Sequence, residues 1–398
     1  MRISLSLGPG QHGERLVEVL VAQRMLRSVV RSWPRFQAKE WDETGVPLER
    51  SGSTYDRVAR LAWAVWRRLP RLSRYETPRG PLSALFDLLA RRYVDGCDLF
   101  VGWAQVSLRS MRRAKELGAV TLLEHPMSHV DTWMRLAEEE YARWGRADGC
   151  YSLFPRILVR RMRKEYQEAA YISVLSSFAK RTFLEAGVPE RKLITLALGV
   201  DPSLFRPGPP GQELFRILYV GRLELLKGIQ YLLQAFSELR LPDAELWMVG
   251  PILPEVQSIL ARHDSGRVRI AGEVPPGEMP AYYRSADVVI LPSINDAFGL
   301  VILEAMASGL PVIATDHSAA SDVIEDKIHG FVVPIRDVGA LKDRILYLFD
   351  HPEEARAMGV AGRERVLGHF TWDHYAERLL KTYPALVEAR QSPIRVNA

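Results

Sequence analysis

The stretch Asp296-Ala297-Phe298-Gly299-Leu300-Val301-Ile302-Leu303-Glu304-Ala305-Met306-Ala307-Ser308-Gly309-Leu310-Pro311 decides how the rest of the chain is read. Just before it, residues 287–291 are apolar, short and rich in β-branched side chains, the pattern of a buried parallel strand. Pro292-Ser293-Ile294-Asn295 is turn chemistry. From Phe298 onward apolar residues recur at helical spacing until Gly309-Leu310-Pro311 stops the helix. The predicted strand therefore empties into a loop that carries Asp296, and Gly299 stands where the next helix begins. A helix N-terminus presents unpaired N–H groups and partial positive charge, so it receives phosphate well. Glu304 lies one to two turns inside that helix, where a carboxylate can accept two hydrogen bonds from a diol such as a ribose. The plainer reading of the same residues is a helix cap at Asp296 and a solvated carboxylate at Glu304.

A second phosphate-competent loop lies upstream. Residues 216–220 read as a strand, Gly221-Arg222-Leu223-Glu224-Leu225-Leu226-Lys227-Gly228 as its exit loop, and 229–239 as the following helix. An arginine fork at 222 and a lysine point charge at 227 suit a diphosphate; solvated cations on a loop are the rival reading. Further strand candidates follow at 246–249, ending at Gly250, at 268–270, leading to Gly272-Glu273-Val274, and at 312–314 and 330–334. Helices are expected at 279–285, 338–349 and 353–367, with a last one from Thr371-Trp372 to residue 386 that could cross back to the first half of the chain.

The first half opens with a strand at 2–7, the glycine-bearing loop Gly8-Pro9-Gly10-Gln11-His12-Gly13, and a helix over 14–26, the start of a doubly wound domain. The loop is not a strict G-x-G-x-x-G; Gly10 and Gly13 are read as letting a ligand approach the backbone, with packing as the rival. Residues 30–80 fit an α/β unit poorly. Within them, 57–72 carries Trp63, Trp66 and Leu69 at helical spacing among arginines, a pattern open to a membrane-interface helix or to a helix packed on the domain. Beyond residue 84 the rhythm is regular: helix 85–93, strand 98–101, helix 108–117, strand 120–123. That strand ends in Glu124-His125-Pro126-Met127-Ser128-His129, and ligands of such sheets gather at the carboxyl ends of strands. A polar helical stretch at 138–163, a strand at 171–175, a helix capped by Ser176-Ser177 and a strand at 193–198 complete the half. The Pro/Gly-dense stretch 201–211 is the predicted linker. The expected division is 1–207, 208–370 and a C-terminal helix in 371–398.

Bulk properties bound the rest. The 398 residues suffice for two cores, and the composition is that of a soluble globular protein. Two cysteines, Cys97 and Cys150, give no disulfide framework and fit a reducing cytosol. The opening residues read as a strand rather than a signal peptide, and no apolar run is long enough to span a bilayer. The net charge of +5 is uneven: residues 1–200 hold 33 Lys+Arg and 22 Asp+Glu, residues 201–398 hold 20 and 26. A basic first half points to an anionic partner such as a membrane surface or a lipid phosphate. No nucleic-acid motif or aromatic-basic platform accompanies it.

Taken together, Val220-Gly221-Arg222-Leu223 with Lys227-Gly228, the stretch from Asp296 to Glu304 running on to Pro311, Ser176-Ser177-Phe178 and Leu198-Gly199-Val200-Asp201 resemble the retaining glycosyltransferases of family 4 (glycosyl transferases group 1). The resemblance covers 171–385 closely and 1–150 more loosely. It implies a GT-B fold, α/β, with two Rossmann-like doubly wound domains facing across a cleft. It implies transfer of a sugar from a UDP- or GDP-type donor to a saccharide or lipid-linked acceptor, in polysaccharide, lipopolysaccharide or glycolipid synthesis. Carried over by position, Arg222 and Lys227 hold the diphosphate and Glu304 the ribose. Phe298, Gly299, Leu300 and Val301 offer backbone N–H groups, and Gly221, Gly250, Glu273 and Val274 line the donor. Asp296 meets the transferred sugar; the family usually has Glu there. The first-domain histidine near the reacting sugar is His125 or His129. The chain has no D-x-D, so neither a metal nor any other cofactor is expected. A nucleotide-sugar epimerase or a glycosyl phosphorylase of the same architecture stands as the alternative, although no pyridoxal-type lysine is singled out. The implied location is cytoplasmic, at or near the inner face of the membrane.

Overall fold

The computed structural model describes residues 1–8, 11–31, 48–50, 79–145, 156–209, 214–263 and 266–391. Two parallel sheets organise them. The first has the order β3-β2-β1-β4-β5-β6-β7, with β1 Ile3–Leu7, β2 Leu26–Arg31, β3 Leu48–Arg50, β4 Leu99–Trp103, β5 Val120–Glu124, β6 Tyr171–Val174 and β7 Leu193–Thr195. The second has the order β10-β9-β8-β11-β12-β13, with β8 Phe215–Val220, β9 Ala244–Val249, β10 Val268–Gly272, β11 Val288–Leu291, β12 Val312–Thr315 and β13 Gly330–Val333. Every pairing in both sheets is parallel. β1, β4, β5 and β11 are buried along their whole length, as strands covered by helices on both faces must be.

The strand order reverses between β1 and β4 in the first sheet, and between β8 and β11 in the second. Loops that leave neighbouring strands at such a switch point diverge to opposite faces and open a crevice at the carboxyl ends. The fold is thus the two-sheet GT-B arrangement that the sequence implied.

Several local expectations need correction. The first helix runs Gln11–Ala22, so Gly13 is inside it, and Leu26 begins β2. The change of direction uses Arg24 at φ 54°, a conformation that side-chain periodicity does not reveal. The polar stretch 138–163 belongs to two helices, Val130–Arg143 and Arg156–Glu168, rather than one. β2, Leu26–Arg31, and β3, Leu48–Arg50, carry the first sheet into the region 30–80 that fitted an α/β unit poorly. β7 ends at Thr195, short of residue 198. Gly10, Cys150 and the Trp/Arg stretch 57–72 lie outside the described residues.

The last helix, Trp372–Gln391, returns to the first sheet. Tyr383 OH donates to Glu124 at 3.0 Å, and Arg378 Nη2 donates to the Ala197 carbonyl at 3.0 Å. A second strut is helix Val130–Arg143, whose Leu136, Ala137 and Tyr141 share a core with β8, β9 and the 225–236 segment. Glu140, fully buried, ties it down: Gln230 Nε2 (2.7 Å), Tyr231 OH (2.7 Å) and Trp144 Nε1 (3.1 Å) donate to one oxygen, and Arg336 Nε (2.8 Å) to the other.

Candidate functional site

The exits of β8 and β11 are neighbours at the switch point, and the sequence presses them together. A short helical turn, Leu225–Lys227, ends at Gly228 with φ 68°, and a Cβ there would lie 1.9 Å from the Pro292 carbonyl. Only glycine lets the first loop come this close to the second. Ile294 N–H then donates to the Leu226 carbonyl at 2.9 Å. Gly250, at the end of β9, meets the Gly221 carbonyl in the same way, at 2.0 Å from where its Cβ would be.

This contact pairs the two loops' charges. Lys227 Nζ lies 2.5 Å from Asp296 Oδ2, while Asp296 Oδ1 accepts from Phe298 N–H at 3.2 Å. Asp296 N–H donates to the His317 carbonyl at 3.0 Å, so the aspartate is held from three sides. Arg222 Nη2 donates to Glu224 Oε1 at 2.7 Å, with 57 % of its side chain exposed against 4 % for Glu224. Burial raises the Glu224 carboxyl, and the charges of Arg222 and Lys227 oppose that rise. Both cations therefore act on one buried carboxylate.

Helix Leu300–Ala307 starts at Gly299 (φ 75°) with no side-chain cap. Its first-turn residues Leu300 and Val301 are half-buried. Inside this helix Glu304 accepts a 2.5 Å hydrogen bond from the hydroxyl of fully buried Tyr283. Burial raises the Glu304 carboxyl, and the Tyr283 hydroxyl partly offsets that. On the other flank, Gly250 N–H donates to the Gly272 carbonyl at 2.7 Å, bringing exposed Glu273 and half-buried Val274 to the same row of strand ends.

The first sheet supplies the facing side. His125 and His129 share an aromatic box with Tyr166 and Phe183, ring centroids 4.9–5.2 Å apart. The two are not equivalent. His125 is fully buried; Nε2 meets Tyr166 OH at 2.8 Å and Nδ1 the Met127 carbonyl at 2.9 Å, and burial lowers its pKa to about 4. No ring nitrogen is left for a ligand. His129 caps helix Val130–Arg143, its Nδ1 accepting from Asp131 N–H at 3.2 Å. That bond puts the proton of the neutral ring on Nε2, which has no hydrogen-bond partner among the described residues. Burial lowers the His129 pKa, with Asp131 opposing.

The glycine loop after β1 has a packing cause. Trp103, at the end of β4, lies 2.4 Å from where a Cβ of Gly8 would sit and 3.4 Å from that of Gly13, and it stacks on His12 at 4.4 Å. The two halves meet at the site itself. Ser176 Oγ donates to the Ala297 carbonyl at 2.5 Å, Ser177 N–H to Asp322 at 2.8 Å, and Phe178 stacks on His317 at 4.7 Å. Tyr283, His317 and Glu140 escaped the sequence reading. So did Gln105, at φ 81°, whose N–H is held by buried Glu165 at 2.6 Å. No local pattern marks any of them, because each acts through partners far away in the chain.

With this geometry in hand, comparison with known proteins is direct. The family model for glycosyl transferases group 1 matches residues 202–365, which contain both loops and Glu304. The chain belongs to this family. Among curated members, it is 31 % identical over 255 residues to the GDP-mannose-dependent alpha-(1-6)-phosphatidylinositol monomannoside mannosyltransferase of Mycolicibacterium smegmatis, covering 58 % of this chain and 66 % of that one. It is 32 % identical over 219 residues to the D-inositol 3-phosphate glycosyltransferase of Segniliparus rotundus, covering 49 % and 47 %. The matched region thus spans about half to two thirds of these relatives' lengths. Among solved structures, the sucrose-phosphate synthase of Thermosynechococcus elongatus superposes with a TM-score of 0.72 at 21 % identity, over 98 % of this family member and all of that chain. Anabaena HepE in complex with UDP and glucose superposes with a TM-score of 0.67 at 16 % identity, over 97 % and 100 %. These two likenesses establish the shared fold.

Proposed function

We propose that this family member transfers a sugar from a nucleoside-diphosphate donor to an acceptor hydroxyl, with retention at the anomeric carbon. The observation that carries the reading is the meeting of two loops at the second sheet's switch point. It sets Lys227 against Asp296 at 2.5 Å beside an uncapped helix N-terminus, with Arg222 on the same loop. Cleavage of the glycosidic bond builds negative charge on the departing diphosphate. Cations and N–H dipoles fixed where that charge grows favour the transition state over the ground state.

In this reading Lys227, Arg222 and the N–H groups of Leu300 and Val301 take the diphosphate, and Glu304 takes the ribose. Asp296, one methylene shorter than the glutamate usual in the family, takes hydroxyls of the transferred sugar. The neutral ring of His129 presents its Nε2 proton to that sugar from the facing domain. In this reading attack and departure share one face of the sugar. The side-chain cations do the work a metal would otherwise do, and transfer should be unchanged by a chelator.

The mycolicibacterial relative's name specifies GDP-mannose and a phosphatidylinositol mannoside, and HepE was crystallised with UDP. A GDP- or UDP-hexose donor and a saccharide or lipid-linked acceptor are proposed here on that basis. Working from the cytoplasmic face of a membrane would be consistent with such an acceptor; among the described residues no helix is long and apolar enough to cross one.

Thermal unfolding in the presence of UDP, GDP, ADP or inorganic phosphate tests the reading. One nucleoside diphosphate should raise the Tm by several degrees at saturation, and product analysis should then show transfer to an added acceptor. Equal shifts with all four, or an isomerised donor sugar without acceptor, would replace transferase with phosphorylase or epimerase chemistry.

A further inference from the structure

We infer that the groove between helices Val130–Arg143 and Arg156–Glu168 is a phosphate subsite for the acceptor. The inference rests on the transferase reading and names the chemical class of the second substrate: a hydroxyl compound bearing a phosphate.

The groove has a volume of about 470 Å³ and is lined by Asp131, Arg135, Glu138, Arg156, Arg160 and Arg163, over an apolar floor of Met134 and Val159. Four guanidinium groups face two carboxylates, so the lining carries an excess of two positive charges. Arg163 pairs with Asp131 at 2.6 Å across the groove, and Arg135 turns along its own helix to Glu139 at 2.8 Å. Arg160, exposed, has neither an ion pair nor a hydrogen bond among the described residues. A guanidinium fork beside a second one is the arrangement that takes a phosphate through paired N–H donors.

Position gives the groove its meaning. The helices are antiparallel, so the Asp131–Arg163 pair marks the groove's end beside His129, while Glu138 and Arg156 mark the far end. Asp131 N–H is itself the donor to His129 Nδ1. Arg160 lies three residues from Arg163, about 5 Å along the helix axis. A phosphate held at Arg160 and Arg156 would leave the rest of a sugar or polyol phosphate lying toward His129. The helix that forms one wall also packs on the Leu225–Lys227 turn of the donor loop, so the two subsites share a rigid element.

The phosphate could belong to a soluble ester or to a lipid headgroup, and binding to the full chain separates these. The probes are glycerol 3-phosphate by calorimetry, and vesicles of phosphatidylglycerol against vesicles of phosphatidylcholine by flotation. The variant is Arg156→Gln/Arg160→Gln, at two exposed positions; Arg109→Gln/Arg191→Gln, also exposed, removes equal charge elsewhere. At low salt the groove variant should bind at least ten-fold more weakly, while the control variant matches the parent. Loss on glycerol 3-phosphate assigns the site to the phosphate ester itself; loss on phosphatidylglycerol vesicles alone assigns it to a lipid headgroup. Equal binding by parent and groove variant, or no binding of either probe, would overturn the inference. The nucleoside-diphosphate Tm shift is read on the same samples: its absence in the parent strikes the transferase reading instead, and its retention in the groove variant shows an intact donor site.

Discussion

Lys227 and Asp296, 69 residues apart, form an ion pair in which both side chains are largely buried. The cation placed for the diphosphate is thus partnered by the acid placed for the sugar. An incoming diphosphate must share Lys227 with Asp296 or draw it away, and the aspartate's own charge repels it.

Asp296→Asn should therefore separate binding from turnover. Removing the competing charge should tighten nucleoside-diphosphate binding two- to ten-fold, while transfer falls by about two orders of magnitude, the scale of one lost transition-state contact. Lys227→Ala should lose both. Calorimetric Kd values with initial rates check the pair, and weaker binding by Asp296→Asn would show that the carboxylate helps to hold the diphosphate.

The Tyr283 hydroxyl stabilises the charged form of Glu304, whose carboxyl burial already raises. Tyr283→Phe should raise that carboxyl further. A ribose diol needs the ionised carboxylate as acceptor, so nucleoside-diphosphate affinity should fail at a higher pH in the variant as the solution is acidified. A Kd-against-pH series for the two proteins reads the displacement; superimposed curves would remove Glu304 from the ribose.

Glu124, buried at the end of β5 under Tyr383, has its pKa raised to about 7 by desolvation. In the unfolded chain it returns to an ordinary carboxyl value near 4.5. Between those pH values the folded form keeps a proton that the unfolded form has lost, so this group's contribution to stability falls as pH rises and is fully lost above the folded pKa. Glu124→Gln should gain on the parent across that window by roughly 3 kcal/mol. The lowered pKa values of His12 and His125, each about 4, act in the opposite sense, but they are common to both proteins and cancel in the difference. Denaturant unfolding at pH 5 and pH 8 checks it.

Glu140 gathers four donors from elements that bridge the two sheets. Glu140→Ala would leave the Arg336 guanidinium with the Glu139 carboxylate alone, 3.1 Å from Nη1, and would strip Gln230 and Tyr231 of their buried acceptor, so it should cost about 3 kcal/mol, the lower end for broken buried pairs. Calorimetric unfolding should also lose cooperativity between the two halves. A single transition at the parent Tm would mean that the strut carries no load.

What was legible in the sequence was what one short stretch encodes by itself. The strand before Asp296, the glycine at 299, the loop from Gly221 to Gly228 and helix Ile229–Leu239 all follow from local pattern and turn chemistry. What was not legible depends on distant partners. His125 and His129 look alike until Tyr166 occupies the ring of one and Asp131 fixes the tautomer of the other. Gly13 reads as part of a ligand cradle until the Trp103 indole is found 3.4 Å from where its Cβ would sit. The stretch 138–163 has the polarity of one long helix, and polarity alone passes over Gly145, whose φ of 67° follows the end of the first helix at Arg143. The Lys227–Asp296 pair is likewise invisible to periodicity, since Lys227 alone reads as a solvated cation on a loop and Asp296 alone as a helix cap.

The central claim is that the β8 and β11 exits grip a nucleoside diphosphate, and a crystal structure with the diphosphate that most raises the Tm tests it most directly. The account predicts Lys227 Nζ and the Leu300 and Val301 N–H groups on phosphate oxygens, and Glu304 on both ribose hydroxyls. A nucleotide seated elsewhere, with Lys227 still closed on Asp296 and Glu304 still turned to Tyr283 alone, would contradict it.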